Sequence, residues 1–253
     1  MEKKKKILLS GHRGYKSLEI ENTEKAFLRA IKEKLDFVEF DVKKTRDNIP
    51  VVFHDEYLTR LLKVKKRIST ITLRELKRYK YADGQEVLTL EEYFSLTGKR
   101  IRSMLEIKSR GIERQILELV VQNDLQESII IQSFTGSILK TCAKMEPVSK
   151  YGLCMGPLGG VGPVGRVGLH YLIGAVMFLF GIKPYPVTYL NLDGPFIYDE
   201  FIKICLLNGK KIILGARNTW NYLDKLGKWG VEIINADNPA LIKKLLIERG
   251  FSL

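Results

Sequence analysis

At 253 residues and 45% hydrophobic composition, the chain can bury one large core, and no Pro/Ser-rich linker divides it, so residues 1–253 read as a single domain. Forty-two Lys and Arg against 29 Asp and Glu give a net charge of +13, which favours anionic partners; with no finger motif or aromatic platform beside it, the charge does not make a nucleic-acid reader. Cys142, Cys154 and Cys205 lie far apart without CxxC spacing, which excludes a disulfide framework or cysteine zinc site and suits a reducing compartment.

The apolar run Ile7-Leu8-Leu9 behind Lys3–Lys6 is too short for a signal-peptide core and reads as a first strand, Lys6–Ser10, of a non-secreted, cytoplasmic protein. Thr23–Lys34 predicts a helix capped by Asn22 or Thr23. Phe37–Val42 is a strand, and Ile49–His54 a partner returning beside it. Residues 58–98 are basic and mixed, with helical pieces at Thr72–Tyr79 and Leu90–Leu96, and read as an insertion after the His54-Asp55 pair. A strand–helix rhythm then resumes: Ser103–Lys108, the helix Ile112–Asn123, Ile129–Ser133, a helix near Gly136–Lys144, then Lys150–Met155, Thr188–Leu192, Lys211–Gly215 and Val231–Asn235. Counting the hairpin partner separately leaves eight strands alternating with helices. That pattern, with polar residues spread over many strand ends, predicts an α/β fold of the TIM (β/α)8 barrel class over a doubly wound sheet.

Residues 156–183 interrupt the rhythm. Gly156–Gly168 is rich in Gly and Pro and reads as a loop. Val167–Ile182 is apolar nearly all round, and at ~1.5 Å per residue its helix is about 24 Å long, short of a ~30 Å hydrocarbon core. It reads as a segment in peripheral contact with an anionic membrane beside the site mouth, the alternative being a helix buried under the insertion or in a subunit contact.

Side chains alternate along a strand, so Glu39 and Asp41 share a face, inward if Phe40 points out, and Glu106 and Lys108 do the same on a neighbouring strand. Three carboxylates at one rim repel one another unless a cation sits among them, and all-oxygen ligands select a hard ion, Mg2+ or Ca2+. His12 and His54 fall at strand ends nearby. Imidazole can take a proton from an attacking hydroxyl or water and give one to a leaving alkoxide. Arg13 offers a fork for phosphate oxygens and Lys108 a point charge. His170, alone in the apolar segment, reads as structural.

These residues also carry a resemblance. GHRGY…IENT…VEFDVKKTRDNIPVVFHDEYLTR is similar to the opening signature of the glycerophosphodiester phosphodiesterase family, and Met104–Lys108, Ile131–Phe134 and Gly230–Pro239 match later segments. The resemblance covers essentially the whole chain. It implies a TIM barrel with a small insertion, hydrolysing glycerophosphodiesters to glycerol 3-phosphate and an alcohol with a divalent metal. It further implies Glu39, Asp41 and Glu106 as metal ligands, His12 and His54 as the acid–base pair, and Arg13 and Lys108 as phosphate holders. Three positions depart from the family pattern: Asp47-Asn48 replaces the usual Asp-Gly turn, Gly215-Ala216-Arg217-Asn218 stands where a Trp-Thr-x-Asn is common, and Ala236-Asp237 replaces Thr-Asp. The catalytic set is intact while the pocket wall is altered.

Two other readings compete. A membrane-associated lysophospholipase D is favoured by the apolar segment and by Gly215. A catalytically silent lipid- or phosphate-binding barrel is disfavoured, because binding alone needs no pair of proton carriers. The sequence leaves open the leaving alcohol, the choice of Mg2+ or Ca2+, which histidine is the acid, whether a cyclic phosphate forms, and the oligomeric state.

Overall fold

The computed structural model describes residues 6–156, 186–194, 197–215 and 219–252. Nine strands are present among them: β1 (Leu8–Gly11), β2 (Phe37–Lys44), β3 (Pro50–Val52), β4 (Arg102–Ile107), β5 (Ile129–Ser133), β6 (Lys150–Met155), β7 (Tyr189–Leu192), β8 (Lys211–Leu214) and β9 (Val231–Ala236). They hydrogen-bond in the order β1-β9-β8-β7-β6-β5-β4-β2, and β1 also pairs with β2, which closes the sheet. Every barrel pairing is parallel; β3 alone runs antiparallel, against β2. The chain is therefore a TIM (β/α)8 barrel, as its strand rhythm predicts.

Helices α1 (Glu24–Lys32), α4 (Leu90–Thr97), α5 (Glu113–Gln122), α6 (Gly136–Met145), α7 (Asp199–Leu207) and α8 (Pro239–Glu248) clothe the barrel, while α2 (Thr59–Leu62) and α3 (Leu73–Leu76) are short. Their starts are chemically marked. The Thr23 side chain accepts from Ala26 N–H to begin α1, and Asn238 with Pro239 at the first turn begins α8. Thr89 and Glu92 form a reciprocal capping box at the start of α4. α3 stops at Leu76, short of the predicted Tyr79, because Arg78 and Tyr79 N–H bond to carbonyls three residues back and tighten the chain out of α geometry.

The strands sort their side chains into two cores. Val38, Phe40, Leu105, Ile131 and Ile234 point outward into the layer shared with the helices. Phe37, Met104, Ile130, Tyr189, Ile213 and Ile233 fill the bottom of the barrel. Two residues further along six of the strands the interior turns polar, with Ser10, Glu39, Glu106, Gln132, Asn191 and Asn235 all buried. The site thus rests on a rigid apolar floor at the C-terminal end of the strands. Between Val51 and Val87 a satellite core of Phe53, Leu58, Leu62, Ile68 and Leu76 supports the loop that follows His54.

Residues 157–185, with the apolar segment 167–182 and His170, lie outside the described residues, as do Ala216, Arg217 and Asn218. Among the described residues no helix is long and apolar enough to cross a membrane.

Candidate active site

The loop Gly11-His12-Arg13-Gly14 owes its glycines to crowding. A Cβ on Gly11 would sit 2.4 Å from the Gly14 carbonyl oxygen, and one on Gly14, at φ 84°, only 2.6 Å from Ala26 Cβ. The chain can therefore turn directly over the end of β2. There Arg13, in the left-handed region at φ 56°, donates its backbone N–H to Glu39 Oε2 at 3.0 Å. Asn22, also left-handed at φ 58°, donates Nδ2–H to Asp41 at 2.9 Å. Thr23 thus caps the helix, and Asn22 serves the carboxylates instead.

Asp41 and Glu106 are register partners on β2 and β4, and Glu39 precedes Asp41 on the same face. One oxygen from each of the three lies within 4.8 Å of the others, and all three side chains are buried. Lys108 Nζ stands 2.8 Å from Glu106 and 3.3 Å from Asp41; Arg13 Nε is 3.3 Å from Asp41. Burial, then the charges of Asp41 and Glu106, push Glu39 well above the ordinary carboxylate range. Burial pushes Glu106 up as well, against the pull of Lys108. Asp41 goes the other way: burial alone would raise it, but Lys108, Arg13, His54 and Asn22 together hold it below its usual value. The cluster is short of positive charge on its Glu39 side, and its donors are all carboxylate oxygens. A hard divalent cation fits it.

Each histidine is backed by a carboxylate. His12 Nδ1 is 2.6 Å from Asp237 Oδ1, with Lys16 Nζ on the same oxygen at 2.7 Å, and its Nε2 stands 3.8 Å from Glu39. His54 Nδ1 is 2.7 Å from Asp55 Oδ1. Asp55 in turn receives Arg60 Nε at 2.6 Å and Nη2 at 3.1 Å, and the same guanidinium bonds Glu21 at 2.5 and 3.0 Å. Glu21 then accepts from Arg13 Nη1 at 2.8 Å. A carboxylate on Nδ1 favours the tautomer with its proton there, leaving Nε2 as the basic atom. Burial lowers the pKa of both imidazoles, with Asp237 opposing at His12 and Asp41 opposing at His54.

A cavity of about 340 Å³ opens over this cluster, lined by His12, Arg13, Glu39, His54, Glu106 and Lys108, and on its far side by Asn191, Asp193, Gly215, Asn235 and Asp237. Asp41, in register with Glu106, joins the cluster without lining the cavity. All seven residues singled out in the sequence are therefore brought to one place. Sequence reasoning missed Asp237, Glu21, Arg60, Asn22, Asn191 and Asn235 as parts of the site. Asp55 beside His54 and Glu21-Asn22 in the opening motif were visible signals; Arg60 ends that motif and Asp237 lies in the matched segment Gly230–Pro239, but nothing local gives either one its role.

A family model described as the glycerophosphoryl diester phosphodiesterase family matches residues 12–158. A glycerophosphodiester phosphodiesterase of Caldanaerobacter subterraneus subsp. tengcongensis is 30% identical over 259 residues, covering 97% of this chain and 100% of that protein. The chain belongs to the glycerophosphoryl diester phosphodiesterase family. It is thereby an enzyme of the phosphoric diester hydrolase class. The span matched by the family model contains His12, Arg13, Glu39, Asp41, His54, Glu106 and Lys108. A lysophospholipase D of Mus musculus is 30% identical over 156 residues, covering 56% of this chain and 47% of that protein. The fold is shared with a phosphodiesterase of Oleispira antarctica solved in complex with the product sn-glycerol-3-phosphate, at TM-score 0.76 and 22% identity over 96% of this chain and 97% of that one.

Proposed function

We propose that this family member hydrolyses glycerophosphodiesters to glycerol 3-phosphate and an alcohol, using one divalent cation, Mg2+ or Ca2+, held by Glu39, Asp41 and Glu106. The observation that carries the proposal is the convergence of three buried carboxylates within 4.8 Å beside two carboxylate-backed imidazoles. When bound, the cation supplies a positive charge that offsets the negative charge building on the phosphate. Arg13 and Lys108 flank the same point and would hold the phosphate oxygens. The pair His12 and His54 divides the proton traffic: one Nε2 removes a proton from the attacking hydroxyl or water, and the other returns one to the departing alcohol oxygen. Asp237 and Asp55 fix each ring's orientation through Nδ1 and stabilise its protonated form.

Purified protein should turn over glycerophosphocholine with Mg2+ or Ca2+, lose turnover in chelator and regain it on adding metal back. Full turnover in chelator would contradict the proposal. A second reading, lysophospholipase D activity with peripheral contact to an anionic membrane through 167–182, draws support from the likeness to the mouse enzyme. Assaying lysophosphatidylcholine beside glycerophosphocholine separates the two, because each reading names a different preferred substrate.

A further inference from the structure

The two histidine–aspartate pairs are held by different cations. On the His12 side, Asp237 takes Lys16 Nζ at 2.7 Å on the same oxygen that meets the imidazole, and Lys16 forms no other ion pair among the described residues. On the His54 side, Arg60 occupies both oxygens of Asp55, Nε on Oδ2 at 2.6 Å and Nη2 on Oδ1 at 3.1 Å. His54 Nδ1 shares Oδ1 at 2.7 Å, which leaves that carboxylate little freedom to turn. The rest of the guanidinium reaches Glu21, Nη1 on Oε2 at 3.0 Å and Nη2 on Oε1 at 2.5 Å. Glu21 Oε1 also accepts from Arg13 Nη1 at 2.8 Å. One planar group thus supports both an imidazole and the arginine that lines the cavity beside it. Arg60 itself is 47% exposed. Ion pairs so open to solvent add little stability, and ordering a long side chain costs entropy. Its backbone is nonetheless pinned: Leu58 and Leu62, two residues before and after it, are buried in the satellite core. Apolar anchors on either side of a half-exposed arginine mark orientation as its task.

We propose that Arg60 is a positioning residue that sets the His54 imidazole and the Arg13 guanidinium as one unit, so that proton transfer and phosphate binding are coupled, while His12 is held independently of both. The inference rests on the phosphodiesterase reading above and adds to it a residue of the insertion. Arg60 neither lines the cavity nor belongs to the carboxylate cluster; it acts through Asp55 and Glu21. A displaced imidazole no longer meets the substrate oxygen along its Nε2, and a displaced Arg13 no longer matches the phosphate. A lysine at position 60 would keep the charge but offer no fork to bind two carboxylates edge-on.

The test is Arg60→Ala and Arg60→Lys, assayed with metal on glycerophosphocholine, beside calorimetric binding of inorganic phosphate and nitrogen NMR of the imidazole rings. The chain has three histidines, so each ring is assigned from a single alanine variant. Arg60→Ala should lower kcat about 10- to 100-fold, raise KM and weaken phosphate binding. It should shift the ring signals of His54 and leave those of His12 in place, with a melting temperature within about 4 °C of wild type. Arg60→Lys should show the same pattern and carries the test should the alanine variant not fold. A change confined to kcat or to KM separates the two arms and overturns the coupling, and no change in either overturns the role. Wild-type activity in Arg60→Lys, which would make charge alone sufficient, overturns it too, as does an equal shift of both rings. Should wild type turn over no diester, the phosphodiesterase reading is at fault, and the other two readouts decide the coupling. Arg60→Ala must then still weaken inorganic phosphate and move the His54 signals; either one unchanged overturns it.

Discussion

His12 and His54 sit in matched settings, each with Nδ1 on an aspartate and each drawn below the ordinary imidazole pKa by burial. Burial favours the neutral ring, which suits the histidine that acts as base, while the aspartate on Nδ1 steadies the imidazolium that the other must be to give a proton from Nε2. His12→Ala and His54→Ala should each lower kcat by about 10²- to 10⁴-fold while calorimetric binding of Mg2+ or Ca2+ stays near wild type. A variant that keeps wild-type kcat removes that histidine from the chemistry. The sequence already exposed both histidines, because each follows a strand beside Gly or Asp punctuation. It showed Asp237 in a matched segment but not its role, because Asp237 meets His12 across 225 positions of chain. Only barrel closure, β9 lying against β1, brings that pair together. Asn22 was legible as a cap and turned out to be a carboxylate partner, since local capping rules cannot see Asp41 lying across the turn.

Among the elements, the loop after β3 and the short α2 have the task of holding Arg60 against both Asp55 and Glu21. That links His54 to Arg13 through one guanidinium, a planar fork that lysine would not reproduce. Glu21 reports on the link. Burial alone would raise its pKa, but Arg60 and Arg13 bring it below the usual carboxylate value. A depressed folded pKa adds stability that is present above the unfolded value, about 4.3, and is lost as pH falls through the folded one. Glu21→Gln should therefore be less stable than wild type in urea at pH 7, with the gap closing below about pH 4. A gap that stays constant with pH would show that the ion pairs add nothing. Strands were readable here because their β-branched runs are buried on both faces. The role of Arg60 was not, since it comes from joining Asp55, five residues away, to Glu21, 39 residues away in sequence.

At the scale of the molecule, a barrel with an apolar floor and a polar upper interior keeps three carboxylates close enough to repel. Their proximity costs stability that a bound cation would return. Ca2+ or Mg2+ should thus raise the melting temperature in a concentration-dependent way, and Glu106→Gln should blunt that rise. A metal response unchanged in Glu106→Gln would move the binding site elsewhere. The eightfold alternation made this architecture legible from composition and rhythm, while Asn191 and Asn235 on the cavity wall were not, because an isolated Asn in an apolar strand gives no sign of which cavity it will face. The most direct test is a crystal soaked in Mn2+, a stand-in for either hard cation, with anomalous diffraction measured at the manganese edge. A single peak at coordination distance from Glu39, Asp41 and Glu106 is the expected result; a cluster without a peak in crystals whose protein turns over glycerophosphocholine would contradict it.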